Sequence, residues 1–361
     1  MSYCKRIIYP IGQGAFYAEI IDETYTFIYD CGTESLQILI DDAINDFIKN
    51  DLIRDVDGLF ISHFHHDHIS GIPKLIDKLK NKSRKIKRIF IPKLTTEQRI
   101  LNLIDLATYG YDFHSDEFKL VNNYEDYFNN INDDPPHIIN ILPEANNEAS
   151  EIIDINFIDK KSDYQSETRF NFSGWLFIPF NYQDFDQVNY DSFMSKSGLT
   201  ELDFKDIDDN KWNKIKKAGL SIKLQSNENS MVLYSCAKMQ YDFLNGLGRH
   251  FHCRWRNGAI YLGDYPTRNN VYTMKLVQFL YKHYAFFNAQ LVQISHHGSE
   301  DDFTGGVNNL YLNFRSCRRQ EFFVCYGSPN KHSHPYPDIR AILGETVIDI
   351  TNQDYKLIRF F

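Results

Sequence analysis

The sequence predicts an α+β fold, a four-layer αββα sandwich in which two sheets face each other and carry helices on their outer faces. Short apolar runs bounded by turn residues occupy two blocks, residues 5–92 and from Ser221 onward, one strand-rich half for each sheet. Segments between these runs repeat apolar residues at helical spacing, as helices lying on a sheet do. Histidines and aspartates follow directly on several runs, which places a polar cleft at one edge of both sheets.

In the first block RIIYPI, YAEII, YTFIYDCG, LFISHFHHDH and IKRIFIP read as strands, while SLQILIDDAINDFIKNDL and GIPKLIDKLKNK read as helices. Residues about 100–215 are richer in Asn, Asp and Tyr, with Asp-Asp-Pro-Pro at 133–136 and an acidic stretch at 201–210 that opens a helix. They are read as an insertion within a single domain spanning 1–361, expected to border the cleft. Strands return in SIKLQ, SMVLYSC, AIYLGDY, LVQISHHGS and EFFVCYGS, with the helix YTMKLVQFLYKHYAFF between them and a last strand in DYKLIRFF.

With 43% apolar and 24% charged residues the composition is that of a globular protein. Six scattered cysteines without a CxxC pair indicate neither a disulfide framework nor a cysteine-based zinc site. No run has signal-peptide or membrane-span character, so a cytoplasmic protein without membrane contact is expected. A net charge of −9 disfavours nonspecific coating of nucleic acid. A basic cluster follows the histidine motif (Lys74, Lys78, Lys80, Lys82, Arg84, Lys85, Lys87, Arg88) and a smaller one comprises Arg315, Arg318 and Arg319; a solvated face is the plainer reading of both.

The chemistry centres on Ile61-Ser62-His63-Phe64-His65-His66-Asp67-His68, at the end of the apolar run GLFIS, which reads as a buried strand ending where the polar residues start. His63 and His65 alternate onto one side of an extended chain, whereas Asp67 and His68 sit where it turns into a helix. One pair can grip one metal and the other pair a second, and imidazole with carboxylate suits zinc. His66 points the other way.

This HxHxDH segment resembles the hallmark of the metallo-β-lactamase superfamily. IYDCG resembles the family's strand-ending Asp-x-Gly, which makes Asp30 a buried support, and YLGDY puts Asp264 where the family has a metal-bridging carboxylate. Four further segments resemble the hydrolase domain of ComEC-type competence proteins: Ile11-Gly12-Gln13-Gly14, Asn229-Ser230-Met231-Val232, Ile294-Ser295-His296-His297-Gly298-Ser299, and Gly327-Ser328-Pro329-Asn330 with His334-Pro335. Ala15 replaces the Asp that follows GQG in that group.

The resemblance implies that His63 and His65 bind a first metal, that Asp67, His68 and His297 bind a second, and that Asp264 bridges them. A third histidine for the first metal is missing: Ser226, Asn227 and Asn229 stand at its place, and His250 and His252 are weak substitutes. Zinc is expected at one or both positions, with manganese or magnesium favoured at the first. The implied activity is hydrolysis by a metal-bound hydroxide, with Asp67 orienting and His296 or His334 donating a proton. A phosphodiester in nucleic acid or a nucleotide is the leading substrate. A lactam, lactone or thioester, or a degraded site kept as a binding module, are the alternatives.

Overall fold

A computed structural model describes residues 3–131, 134–144, 151–155, 158, 162–183, 187–222, 230–247, 257–304, 310–315, 320–330, 332–354 and 356–360. Its strands are β1 (Cys4–Ile8), β2 (Gly14–Ile21), β3 (Tyr25–Thr33), β4 (Gly58–Phe60), β5 (Arg88–Pro92), β6 (His137–Ile141), β7 (Ile152–Asp154), β8 (Asp163–Tyr164), β9 (Arg169–Phe172), β10 (Trp175–Phe180), β11 (Val232–Ala237), β12 (Gly258–Tyr261), β13 (Ala289–Gln293), β14 (Glu321–Tyr326), β15 (Val347–Thr351) and β16 (Leu357–Phe360). The helices are α1 (Gln37–Lys49), α2 (His66–Ile69), α3 (Ile72–Lys80), α4 (Thr96–Tyr109), α5 (Asp116–Asn122), α6 (Tyr124–Ile131), α7 (Gln187–Ser197), α8 (Asp209–Gly219), α9 (Lys238–Leu247), α10 (Asn270–Lys282), α11 (Ala285–Asn288), α12 (Glu300–Thr304), α13 (Leu310–Arg315) and α14 (Ile339–Leu343).

One sheet runs β16-β1-β2-β3-β4-β5-β6-β8 and the other β15-β14-β13-β12-β11-β10-β9-β7. Both are mixed: β3 to β6 and β12 to β15 are parallel, whereas β1–β2–β3 and β10–β11–β12 are antiparallel. Between the sheets lies an aromatic core with Tyr17, Phe27, Tyr29, Phe60, Trp175, Phe177 and Tyr261. A second apolar cluster joins the outer face of the first sheet to α1, α3, α4, α7 and α8, and a third joins the other sheet to α10, α11 and α14. The four layers expected from the sequence are therefore present.

Several local readings are refined. LFISHFHHDH is a strand only over Gly58–Phe60, because the chain then leaves the sheet to present its histidines. Of SIKLQ, Ser221 and Ile222 close a turn after α8, and the remainder lies outside the described residues. Residues 100–215 divide between layers: β6 and β8 extend the first sheet, β7, β9 and β10 extend the second, and the helices pack outside the first. The acidic stretch opens α8, where Asp208 accepts a hydrogen bond from the Lys211 amide. No helix among the described residues is long and apolar enough to cross a membrane.

Candidate metal centre

The site forms beyond the carboxyl ends of parallel strands in both sheets, where open α/β sheets leave a crevice. His63 follows β4, Asp264 follows β12, His296 and His297 follow β13, and the loop with His332 and His334 follows β14. Backbone bonds tie these loops: the Met231 amide donates to Ser62 O at 2.8 Å, and the His296 amide to Gly263 O at 3.0 Å.

Two donor sets come together, and the atoms within each lie within 4.8 Å of one another: Asp67, His68, Asp264 and His297, and His63, His65 and Asp264. His297 Nε2 is 3.0 Å from Asp67 Oδ2, and His68 Nε2 is 3.2 Å from Asp264 Oδ1. His63 Nε2 is 3.1 Å from His65 Nδ1 and 3.8 Å from Asp264 Oδ2. His63, His68, Asp264 and His297 are all buried. The buried His68 Nε2 and Asp264 Oδ1 face each other at 3.2 Å outside hydrogen-bond geometry, as two ligand atoms turned towards one cation do. The residues present thus fit a metal pair.

A set of hydrogen bonds behind the donors fixes their direction. Asp30 is fully buried and accepts from the Ser62 amide at 2.6 Å and the Ser62 hydroxyl at 2.7 Å, with His68 Nδ1 at 2.8 Å. Ser230 Oγ accepts from the Asp264 amide at 3.0 Å, and His297 Nδ1 donates to Cys325 O at 2.8 Å. His296 Nδ1 bonds the buried Asp302. Asp30, His296 and His297 hold positive φ of 55°, 50° and 52°. Such backbone costs roughly 1–3 kcal/mol per residue and concentrates where function demands a fixed geometry.

Burial pushes the His63 imidazole well below its usual range, aided by His68 and His65, so it stays neutral as a ligand must. Burial alone would lower His68, but Asp67, Asp264 and Asp30 outweigh it and hold it well above. Burial likewise opposes ionisation of Asp264 and Asp67, yet His296, His68 and His297 keep the first carboxyl, and His68 and His297 the second, below the usual range. A bound metal would supply positive charge to the same carboxylates.

Two glycines set how closely the histidine loop approaches. A Cβ on Gly32 would lie 2.5 Å from Ile69 N and 2.7 Å from His66 O, and one on Gly14 2.8 Å from Asp67 O. Those contacts are with backbone, which has no rotamer to yield. Gly32→Ala is expected to cost about 1–3 kcal/mol and to weaken metal retention, as thermal melting and metal analysis of the purified variant will show.

The cleft above the donors has a volume of about 360 Å³ and is lined by, among others, Gln13, His66, Asp105, Tyr109, Arg268 and His334. The GQG and SPN segments meet at its rim, where Asn330 Nδ2 donates to Gln13 Oε1 at 3.1 Å. His66 stacks on Tyr111 at 4.5 Å between centroids, on the wall rather than among the donors. The end of α4 borders the cleft. No member of the basic cluster lines it: Lys74 pairs with Asp41, Lys85 with Asp134 and Lys87 with Asp57. Ser226, Asn227, Asn229, His250 and His252 lie outside the described residues, as do Arg318, Arg319 and the Arg315 side chain. Asp105 and Asp302 escaped the sequence reading, while Ser62 and Ser230 stand there inside the histidine and NSMV segments without an assigned role.

Residues 15–135, a third of the chain from β2 to beyond α6, match the Metallo-beta-lactamase superfamily. That match therefore includes the HxHxDH segment and Asp105. No curated protein matches it. Among solved structures it is similar to the metallo-beta-lactamase fold protein YhfI from Bacillus subtilis, at 10% identity and a TM-score of 0.47 over 100% of both chains. It is also similar to a new diphosphatase from the PhnP family, at 8% identity and a TM-score of 0.45 over 99% of each.

Proposed function

We propose that the protein is a metal-dependent phosphoester hydrolase acting on nucleotides or on an exposed end of nucleic acid. The observation that carries this is the pair of donor sets sharing Asp264 on the floor of an open cleft. Such a pair suits displacement at phosphorus, where attacking and leaving oxygens both need charge stabilisation. The ComEC-like segments support the same substrate class, and a cleft of about 360 Å³ with the basic cluster elsewhere favours a nucleotide over a long duplex.

Asp67, His68, Asp264 and His297 would hold zinc at the second position, and His63, His65 and Asp264 would hold an ion at the first, with manganese or magnesium favoured there because only two imidazoles reach it among the described residues. When bound, the metals supply Lewis acidity and a nucleophile at neutral pH. Asp67 orients the attacking water. His296 is the proton donor: burial alone would lower it, but Asp264 and Asp302 raise it above its usual value, and Asp302 fixes the ring through Nδ1. His334, its ring 5.6 Å from that of His296 between centroids, is pushed down to about 4 by burial and by His296, and is neutral when it meets substrate. The buried free thiols Cys4, Cys31, Cys236 and Cys325 suit a reducing, cytoplasmic setting.

Metal analysis combined with a screen of bis-p-nitrophenyl phosphate, cyclic nucleotides, single- and double-stranded DNA and RNA tests this reading. Metal-dependent hydrolysis of the phosphodiesters is expected. A metal-loaded protein that cleaves only lactams, lactones or thioesters overturns the substrate class, and one that binds no metal overturns the enzyme.

His334 also yields a pH prediction. Its folded value of about 4 lies below the value near 6.5 of an unfolded histidine, so between the two the unfolded chain binds the extra proton. The metal-free protein should therefore lose stability as pH falls from about 6.5 towards 4, and His334→Gln should make that slope shallower. Melting curves across the window decide it; an unchanged slope contradicts the assigned neutral state.

A further inference from the structure

On the reading that His65 is a metal ligand, we infer that Asp105, on α4, is the residue that orients it and sets the affinity of the first metal position. His65 Nδ1 faces His63 Nε2 at 3.1 Å and belongs to the donor set with Asp264. An imidazole that offers Nδ1 to a metal points Nε2 away from it. That far nitrogen is buried and lies 3.4 Å from Asp105 Oδ2, within ion-pair distance but outside hydrogen-bond geometry, so the carboxylate acts on it by its charge. Asp105 is outside the donor set itself, so it acts through the ring. A carboxylate there keeps the proton on Nε2, leaves the Nδ1 lone pair for the metal and raises its basicity.

The helix that carries Asp105 is held at both ends and along its length. Thr95 and Gln98 form a reciprocal cap at its start, and Gly110, with φ of 91°, ends it one turn after Asp105. Ile100, Leu103, Ile104 and Ala107 are buried on the first sheet's helical layer, and Trp212 of α8 donates to Tyr111 O just beyond the end. Asp105 is 8% exposed at the cleft wall. Among the described residues this donor set holds two imidazoles, His63 and His65, so the helix that orients one of them bears directly on the position.

Titration calorimetry of the metal-free full chain with manganese and with zinc tests this. The parent should show two events. Asp105→Asn, which keeps shape and removes charge, should weaken the weaker event about 10- to 100-fold and leave the tighter one unchanged, and Asp105→Glu should recover part of the loss. In the zinc-loaded parent, nitrogen NMR should show His65 protonated at Nε2, and that tautomer should be lost or mixed in Asp105→Asn. Unchanged affinities and tautomer in Asp105→Asn overturn the inference while leaving the hydrolase reading intact. An equal loss in both events also overturns it, since α4 would then support the whole cleft. A parent that binds neither metal defeats both readings.

Discussion

Asp264→Ala is expected to lose both metals and to lower turnover by roughly three orders of magnitude or more, on the scale seen when a catalytic unit is dismantled. It is the one residue common to the two donor sets, and its carboxylate lies within 4 Å of His63, His68, His296 and His297. His297→Ala, which touches only one set, should lose a single equivalent. Metal content by mass spectrometry and hydrolysis of bis-p-nitrophenyl phosphate separate the two outcomes. Retention of one full metal equivalent in Asp264→Ala would show that the sets are not bridged.

The largest effect on stability is expected at Asp30. Removing its carboxylate leaves the Ser62 amide and hydroxyl and His68 Nδ1 without their acceptor in the fully buried space beneath the metal loop. Asp30→Ala should cost about 3–5 kcal/mol, as breaking a buried charged contact does, and methyl-bearing Ala also fits poorly at a φ of 55°. Asp30→Asn tolerates that backbone and keeps one acceptor oxygen, so it should recover a large part of the loss. Denaturant melts of the metal-free forms measure this without interference from metal binding; equal stability of the Ala variant and the parent would refute the supporting role.

The difference between these aspartates also shows what a sequence can reveal. His63, His65, Asp67 and His68 are legible because strand and helix geometry act over six residues, and Asp264 and His297 because each follows its own apolar run in a familiar order. Asp105 and Asp302 are not legible in this way. Asp105 reaches His65 only because α4 packs on the first sheet, and Asp302 reaches His296 only because the backbone at His296 and His297 turns left-handed. The region 100–215 was misleading for another reason: its strands are short, such as Asp163–Tyr164 and Arg169–Phe172, and are separated by Asn- and Asp-rich chain, so composition obscured the period-2 pattern that marks a sheet.

The contact between Asp67 and His297 joins residues 230 positions apart. Loop closure over such a distance comes late in folding, since its entropy is recovered only when the two sheets already face each other. A chain that has emerged only as far as β12 carries His63, His65, Asp67 and His68 but still lacks the groups that close either donor set. Metal capture would therefore report that both sheets have docked, and a metal bound only by the native form would add its binding energy to that docking. Chelators should accordingly speed unfolding more than they slow refolding.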